Sequence, residues 1–409
     1  MESWYGIATL WFGLALLATL LATRLRVSIA LMEIGVGVTA AFVVGRLWGP
    51  DAMGADVPWL RFAAGTGAIL LTFLAGTELD PAVMRRKWRE VTVVGIVGFA
   101  APFLGCAAAA RWLLGWDPQA SWLAGVALST TSMAVVYAVM LETGFNRTDF
   151  GKGILGACFV NDLGTVIALG LLFAPFTWRT LVFLGISGIV FLVLPGVTPR
   201  LINHYANRTA AFRTKWVLFI LFGLGTLALW AGSEAVLPAY IAGMVLSTAL
   251  GVDQMFIRRL RTVTIGFFSP LYFLRAGSFV SVPALVVAPA AFIILLAAKV
   301  ATKIVGLFPI IGLFRDRRDE RWYYTLLMST GLTFGTISAL FGLSHRIITP
   351  EQYSYLVAVV IASAVVPTLV ANAFFLPRHL LPSAGSETVA AGRTLPSSPL
   401  ESPEPFEEG

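Results

Sequence analysis

Charge is the scarcest feature of this 409-residue chain. Only 12% of its residues are charged, where a soluble domain carries about 25%. Cysteine is nearly absent too. Cys106 and Cys158 both fall in apolar runs, which excludes a disulfide framework and argues against a thiol site. The three histidines (His204, His345, His379) are scattered, so no metal-ligand cluster is visible, and no cofactor is expected. The net charge of +7 is not gathered into one basic domain, which argues against nucleic acid as a partner. What fills the chain instead is hydrophobicity: 57% of residues are hydrophobic and mean hydropathy is +0.82. This is the composition of an all-α polytopic membrane protein, with the lipid bilayer as its solvent.

Apolar windows predict about thirteen transmembrane helices, at 4–23, 27–48, 60–79, 91–114, 120–143, 151–174, 178–200, 216–232, 234–251, 262–282, 284–314, 322–345 and 353–376. The first window lacks a basic leader and reads as a membrane helix, not a cleaved signal. Pro289 and Pro309 predict kinks in the eleventh. Basic residues crowd the loops after odd-numbered windows, such as Arg85, Arg86, Lys87 and Arg89, or Arg315, Arg317, Arg318 and Arg321. The alternate loops hold Arg46, Arg61, Arg111, Arg179 and Arg346. By the positive-inside bias the N-terminus is expected outside and the C-terminus in the cytoplasm. Residues 1–382 read as one transporter domain. Residues 383–409, rich in Ser, Pro and Glu, read as a disordered cytoplasmic tail, with no nucleotide-binding domain expected.

Four windows place unusual residues near mid-depth. The sixth carries Asn161-Asp162. Asp162 lies ten residues from Lys152, roughly 15 Å along a helix, and reads as the chain's one carboxylate in the middle of a long apolar segment. A charge there marks an ion or proton pathway by default. The fifth window has Ser129-Thr130-Thr131-Ser132, and the twelfth has Gly331, Thr333, Gly335 and Thr336 within Ser329–Thr336. Such clusters serve helix packing, but they also permit a helix to break and free carbonyl oxygens for a cation. The two windows are seven apart. With six-helix repeats they occupy corresponding, inverted positions, so the expected fold is two inverted six-helix repeats with crossed interrupted helices.

Lys303, in the eleventh window, reads as a charge partner of Asp162, a proton carrier or a structural clamp. Lys299, one turn earlier, is open to the same role. Arg275 is a second candidate charge partner, or a side chain snorkelling to the outer surface. Glu78 closes the third window at its inner rim.

Five segments resemble the monovalent cation:proton antiporter superfamily, in the branch of Kef-type potassium efflux systems and NapA-type sodium/proton antiporters. They are Phe73–Asp80, Ala127–Ser132, Pro238–Gly243, Ser269–Phe273 with Gly277, and Lys303-Ile304 with the basic run Arg315 to Arg321. They occur in the family's order within residues 5–376. The resemblance implies a core domain with two crossed helices, a separate dimerisation domain, a homodimer, and alternating access by movement of the core. It places Asp162 at the ion-binding aspartate. Asn161 takes the preceding position, which is Asp in electrogenic sodium antiporters, Asn in many electroneutral ones and Gln in Kef systems. Asn161 therefore points to one-for-one exchange, whereas a lysine at 303 is typical of the Asp-Asp type.

The expected activity is antiport of a monovalent cation, Na⁺ or K⁺, against H⁺ by competition at Asp162. Oxygens of Thr130, Thr131, Ser132 and the twelfth-window break would assist, in a prokaryotic plasma membrane. A cation-coupled symporter or an efflux channel on the same scaffold is the alternative. A membrane-embedded enzyme is disfavoured, because no His-Asp set, paired carboxylates or metal ligands accompany Asp162.

Overall fold

A computed structural model describes residues 4–25, 29–49, 52–77, 85–145, 148–173, 177–205, 211–233, 235–250 and 254–381. Glu78, Leu79, Asp80 and the tail from 382 onward lie outside the described residues, and so do the expectations placed on them. Among the described residues the regular structure is entirely helical.

In chain order the helices are α1 (Trp4–Leu25), α2 (Ile29–Trp48), α3 (Pro58–Thr77), α4 (Trp88–Ala108, prolonged by a π-helical turn to Leu113), α5 (Pro118–Ser129), α6 (Met133–Thr143), α7 (Asp149–Phe173), α8 (Trp178–Tyr205), α9 (Phe212–Trp230), α10 (Val236–Leu250), α11 (Gln254–Val263), α12 (Ser269–Ser278), α13 (Val282–Val287), α14 (Pro289–Ile311), α15 (Arg318–Met328), α16 (Thr333–Ser344) and α17 (Pro350–Phe374). Ten helical runs among the described residues are long and apolar enough to cross a bilayer, counting α15 with α16 as one. The fifth, ninth and tenth apolar windows fall on shorter or interrupted helices.

Boundaries differ from the sequence reading where charge or proline misled it. Arg258, Arg259 and Arg261, read as loop, lie on α11, which runs through a π-helical turn (Thr264–Phe268) into α12. Pro289 does not kink a helix. It starts α14 after the non-helical Ala288, as suits a residue with no N–H to donate. Pro309 sits in the last turn of the same helix. Local chemistry sets other ends. Asp117 caps α5 by accepting from the Gln119 and Ala120 amides, and Thr349 with Gln352 forms a capping box on α17.

The two halves pack alike. α4 lies against α5 and α7, and α14 against α15 and α17, while α4 and α14 pack on each other. Outside this group, α3 pairs with α10 and α2 with α12, and α3 also meets α12. Both of those pairs rest on reciprocal glycines. A Cβ at Gly76 would strike the Tyr240 carbonyl oxygen, and one at Gly243 would strike that of Phe73. Likewise a Cβ at Gly37 would strike the Leu274 oxygen, and one at Gly277 that of Ile34. Lipid supplies no hydrophobic drive between helices, so backbone-close packing of this kind holds them together. It gives a physical reason for glycine in three of the segments singled out in the sequence.

Candidate functional site

Both predicted breaks exist, and they meet. α5 ends at Ser129, and Thr130 turns extended with φ −60° and ψ 151°. Helix resumes at Met133, after Ser132 accepts from the Val135 amide at 3.3 Å. The second break spans Ser329 to Leu332, between α15 and α16. Groups freed by one break are satisfied by the other. Thr131 Oγ1 donates to the Met328 carbonyl at 2.9 Å, and the Ser132 amide donates to Thr330 Oγ1 at 3.4 Å. Non-helical backbone at membrane depth persists only with such partners or beside a cavity. Ser129, Thr130, Thr131, Ser132, Ser329 and Thr330 are all buried.

The second break is shorter than the sequence reading. Of the four residues assigned to it, only Gly331 lies inside it. Thr333 is the first residue of α16, and Gly335 and Thr336 are helical. Thr336 returns its hydroxyl to the Leu332 carbonyl at 2.7 Å, the usual option for threonine within a helix. Gly335 serves close packing, since a Cβ there would lie 2.9 Å from the Ala127 carbonyl oxygen and 2.7 Å from Val360 Cγ2.

α7 brings Asn161 and Asp162 to the crossing. One turn earlier, Cys158 Sγ meets Met328 Sδ at 3.5 Å. One turn later, Thr165 Oγ1 donates to the Asn161 carbonyl at 3.3 Å and lies 3.5 Å from Ser129 Oγ. Asp162 is 1% exposed and Asn161 fully buried. Neither amide atom of Asn161 has a hydrogen-bond partner, and Asp162 Oδ1 has none either. The Thr131 backbone and the charges of Lys303 and Lys299 bear on the Asp162 carboxylate.

Lys303 and Lys299 are both fully buried on α14. Lys303 Nζ donates to Thr131 Oγ1 at 3.0 Å, and Lys299 Nζ to the Thr130 carbonyl at 3.4 Å. No ion pair among the described residues joins either lysine to Asp162. The Thr131 hydroxyl, which accepts from Lys303, donates to the Met328 carbonyl.

Arg275 stands apart from this cluster. Its Nε donates to the Ala55 carbonyl and its terminal nitrogen to Asp56 Oδ1, both at 2.8 Å. It ties α12 to the loop before α3 and is no partner of Asp162. It does line a cavity of about 480 Å³ between α3, α9, α12 and α16. That cavity reaches Ile337, one turn from the start of α16, and none of the crossing residues line it.

Several residues escaped the sequence reading. Thr330 was quoted within its segment but not assigned a role. Tyr240 donates to the Phe159 carbonyl at 3.1 Å and packs its ring on Phe159 and Phe334, so α10 touches both α7 and α16 beside the site. Glu33, five residues into α2, is 1% exposed with Oε2 unpartnered. Asp162 is therefore not alone as a buried carboxylate. Glu33 stands in the sequence as a lone acid between Met32 and Ile34, with no motif around it to mark it.

Comparison with known proteins agrees with this architecture. The sodium/hydrogen exchanger transmembrane family matches residues 12–375. The chain is 24% identical to the probable Na⁺/H⁺ antiporter 3 of Methanocaldococcus jannaschii, covering 83% of this chain and 91% of that one. It is 25% identical to the glutathione-regulated potassium-efflux system protein KefC of Enterobacter sp. strain 638, covering 88% of this chain but only 59% of that protein. Among solved structures, the sodium proton antiporter MjNhaP1 of M. jannaschii at pH 8 superposes with a TM-score of 0.67 at 15% identity, over 90% of this chain and 96% of that one. With its crossed helix breaks and a match that runs almost from end to end, this integral membrane protein belongs to the sodium/hydrogen exchanger family, within the monovalent cation:proton antiporter superfamily.

Proposed function

We propose that this cation/proton antiporter exchanges one Na⁺ or K⁺ for one H⁺ by competition for the carboxylate of Asp162. One observation carries the reading: a nearly inaccessible carboxylate at a helix crossing, with an unpartnered oxygen and no ion pair among the described residues. An uncompensated charge at the bilayer centre costs about 2.5–3.5 kcal/mol or more, so it persists where a ligand completes it. The unsatisfied oxygens of Asp162 and Asn161 fit a hard monovalent cation, which takes oxygen ligands. The Asn161 carbamoyl oxygen adds a donor without charge, and the hydroxyls of Thr130, Thr131 and Ser132 lie on the facing break.

A proton on Asp162 removes the negative charge that holds the cation, so the two ligands exclude each other. With the carboxylate neutralised by either one, the core moves through the membrane cheaply. With it bare, movement carries the full desolvation cost. One carrier carboxylate gives electroneutral exchange. A proton released by Lys303 in the same cycle would make exchange electrogenic. The names of the relatives, sodium in one and potassium in the other, support both cargoes. The group α4–α7 with α14–α17 would be the moving core, and α1–α3 with α8–α12 the dimerisation domain of a homodimer. The N-terminus would lie outside and the C-terminus inside a prokaryotic plasma membrane. The chain would perform no covalent chemistry.

Proteoliposomes loaded with a pH dye test this. Added Na⁺ or K⁺ should shift internal pH equally with the membrane potential clamped or free. A voltage-sensitive signal would reject electroneutrality, and cation-driven proton entry in the same direction would favour a symporter.

A further inference from the structure

A tyrosine buried at membrane depth needs an acceptor for its hydroxyl, because no water is there to supply one. Two fully buried tyrosines find theirs across the boundary between the group α4–α7 with α14–α17 and the group α1–α3 with α8–α12. Tyr240 on α10 donates to the Phe159 carbonyl of α7 at 3.1 Å, and Tyr353 on α17 donates to the Ala276 carbonyl of α12 at 2.7 Å. Their surroundings differ. Beside Tyr353 the boundary is pinned again, since the Ser281 amide donates to Ser354 Oγ at 2.7 Å and Tyr355 donates to the Ala284 carbonyl at 3.3 Å. The chain itself crosses there, from α12 through α13 to α14.

Tyr240 belongs to one group by its backbone and to the other by its side chain. Its carbonyl oxygen is the atom that a Cβ at Gly76 would strike, so the α3–α10 contact fixes it. Its ring stacks on Phe159 with centroids 5.3 Å apart and meets Phe334 edge-on at 5.5 Å. Phe159 lies three residues before Asp162, and Phe334 two residues after Leu332, where the second break ends. Phenylalanine would give the same ring contacts, so what the hydroxyl adds is the bond to α7. The open space also ends here. Val236 and Ile337 line the cavity of about 480 Å³, and Tyr240 and Phe334 stand one turn from them on the same two helices.

We infer that Tyr240 is a positioning residue of the exchange cycle: its hydroxyl tethers α7, the helix that carries Asp162, to the α3–α10 pair, and the tether releases each time the core moves. The release rests on the antiport reading, and the tether does not. Tyr353, beside the place where the chain crosses, is part of the hinge and keeps its bond.

The test compares Tyr240→Phe with Tyr353→Phe in a full-length parent carrying Cys106→Ser, which leaves Cys158 as the only thiol. Cys158 is fully buried and adjoins Phe159, so its reaction with N-ethylmaleimide reports separation at Tyr240. Cation/proton exchange in proteoliposomes is measured alongside. Tyr240→Phe should label Cys158 about fivefold faster, the scale of one hydrogen bond, and raise the maximal exchange rate by up to that factor. The KM for the cation and the pH profile should stay parental, because the ligands of the ion are untouched. A residue that only supported the fold would lower the rate instead. Tyr353→Phe removes an equivalent bond and should label like the parent. The inference is overturned if Tyr240→Phe labels at the parental rate, if it exchanges no faster than an active parent, or if Tyr353→Phe labels as fast as Tyr240→Phe. If Tyr240→Phe does not fold, Phe334→Leu decides, since it removes the edge contact that holds the Tyr240 ring: parental labelling there is fatal to the inference. If the parent exchanges no cation, the antiport reading falls, while the labelling rates still judge the tether.

Discussion

Two regions of this molecule each gather several buried charged groups, and the two treat them oppositely. At the end where α4, α14 and α15 approach, Arg315 holds Glu90 at 2.7 Å and lies 4.0 Å from Glu320. His379 reaches Glu320 at 2.8 Å, and Lys87 Nζ donates to the Asp149 carbonyl at 2.7 Å. Arg86 also pairs with Asp149, and the Arg315 guanidinium lies over the Phe150 ring at 5.2 Å. Each acid there has its base. At the crossing, Asp162, Lys299 and Lys303 are at least as buried, yet they enter no ion pair among the described residues. Pairing repays desolvation, so the first region reads as a clasp between α4, α14, α15 and the segment after α17. The second keeps its carboxylate available, which structure alone does not require. Burial of charge is thus common to both, and the missing partner is what separates the crossing from the clasp.

That contrast breaks most sharply at Asp162. Asp162→Asn should abolish exchange in proteoliposomes while the protein stays monodisperse on size exclusion. Retained exchange would remove Asp162 as the carrier. Lys303→Met should come next, with exchange lowered about tenfold, a little over 1 kcal/mol in barrier, and a shifted pH profile. An unchanged profile would make Lys303 a spectator.

The clasp should answer differently. Glu90→Gln keeps an oxygen acceptor but removes the buried negative charge that faces the Arg315 guanidinium. We expect a loss of about 1–3 kcal/mol, read as a lower thermal midpoint in detergent, with the shape of the pH profile retained. A changed profile with an unchanged midpoint would move Glu90 into the transport site. The smallest effect belongs to Arg275→Lys, which keeps a charge near the exposed Asp56 but loses the two-point contact with Ala55 and Asp56. Stability should fall by up to about 1 kcal/mol, with exchange intact. Lost exchange in a folded Arg275→Lys protein would return Arg275 to the charge-partner role.

Much of this was legible beforehand. Apolar windows located the membrane helices because a bilayer imposes length and hydropathy directly. Ser129–Ser132 and the segment around Gly331 announced breaks, because small hydroxyl residues at mid-depth weaken a helix. Legibility failed where a neighbour decides. Thr333, Gly335 and Thr336 have the composition of a break, but packing on Ala127 and Val360 keeps Gly335 helical, and Leu332 accepts the hydroxyl of Thr336. Arg315 looked like loop charge until Glu90, 225 residues away, was found within 2.7 Å of it. Arg275 took its partner from a loop 219 residues earlier.

By itself the sequence determined a helical membrane protein, the place of Asp162 within an apolar run and the two places where helices yield. These follow from local hydropathy and propensity, which each segment carries alone. Only the tertiary structure decided which break lies on which, that Lys299 reaches both of them while Lys303 reaches Thr131, and that no ion pair among the described residues holds Asp162. Those outcomes are distances between segments far apart in the chain, and a side chain's partner is set by where helix packing brings it.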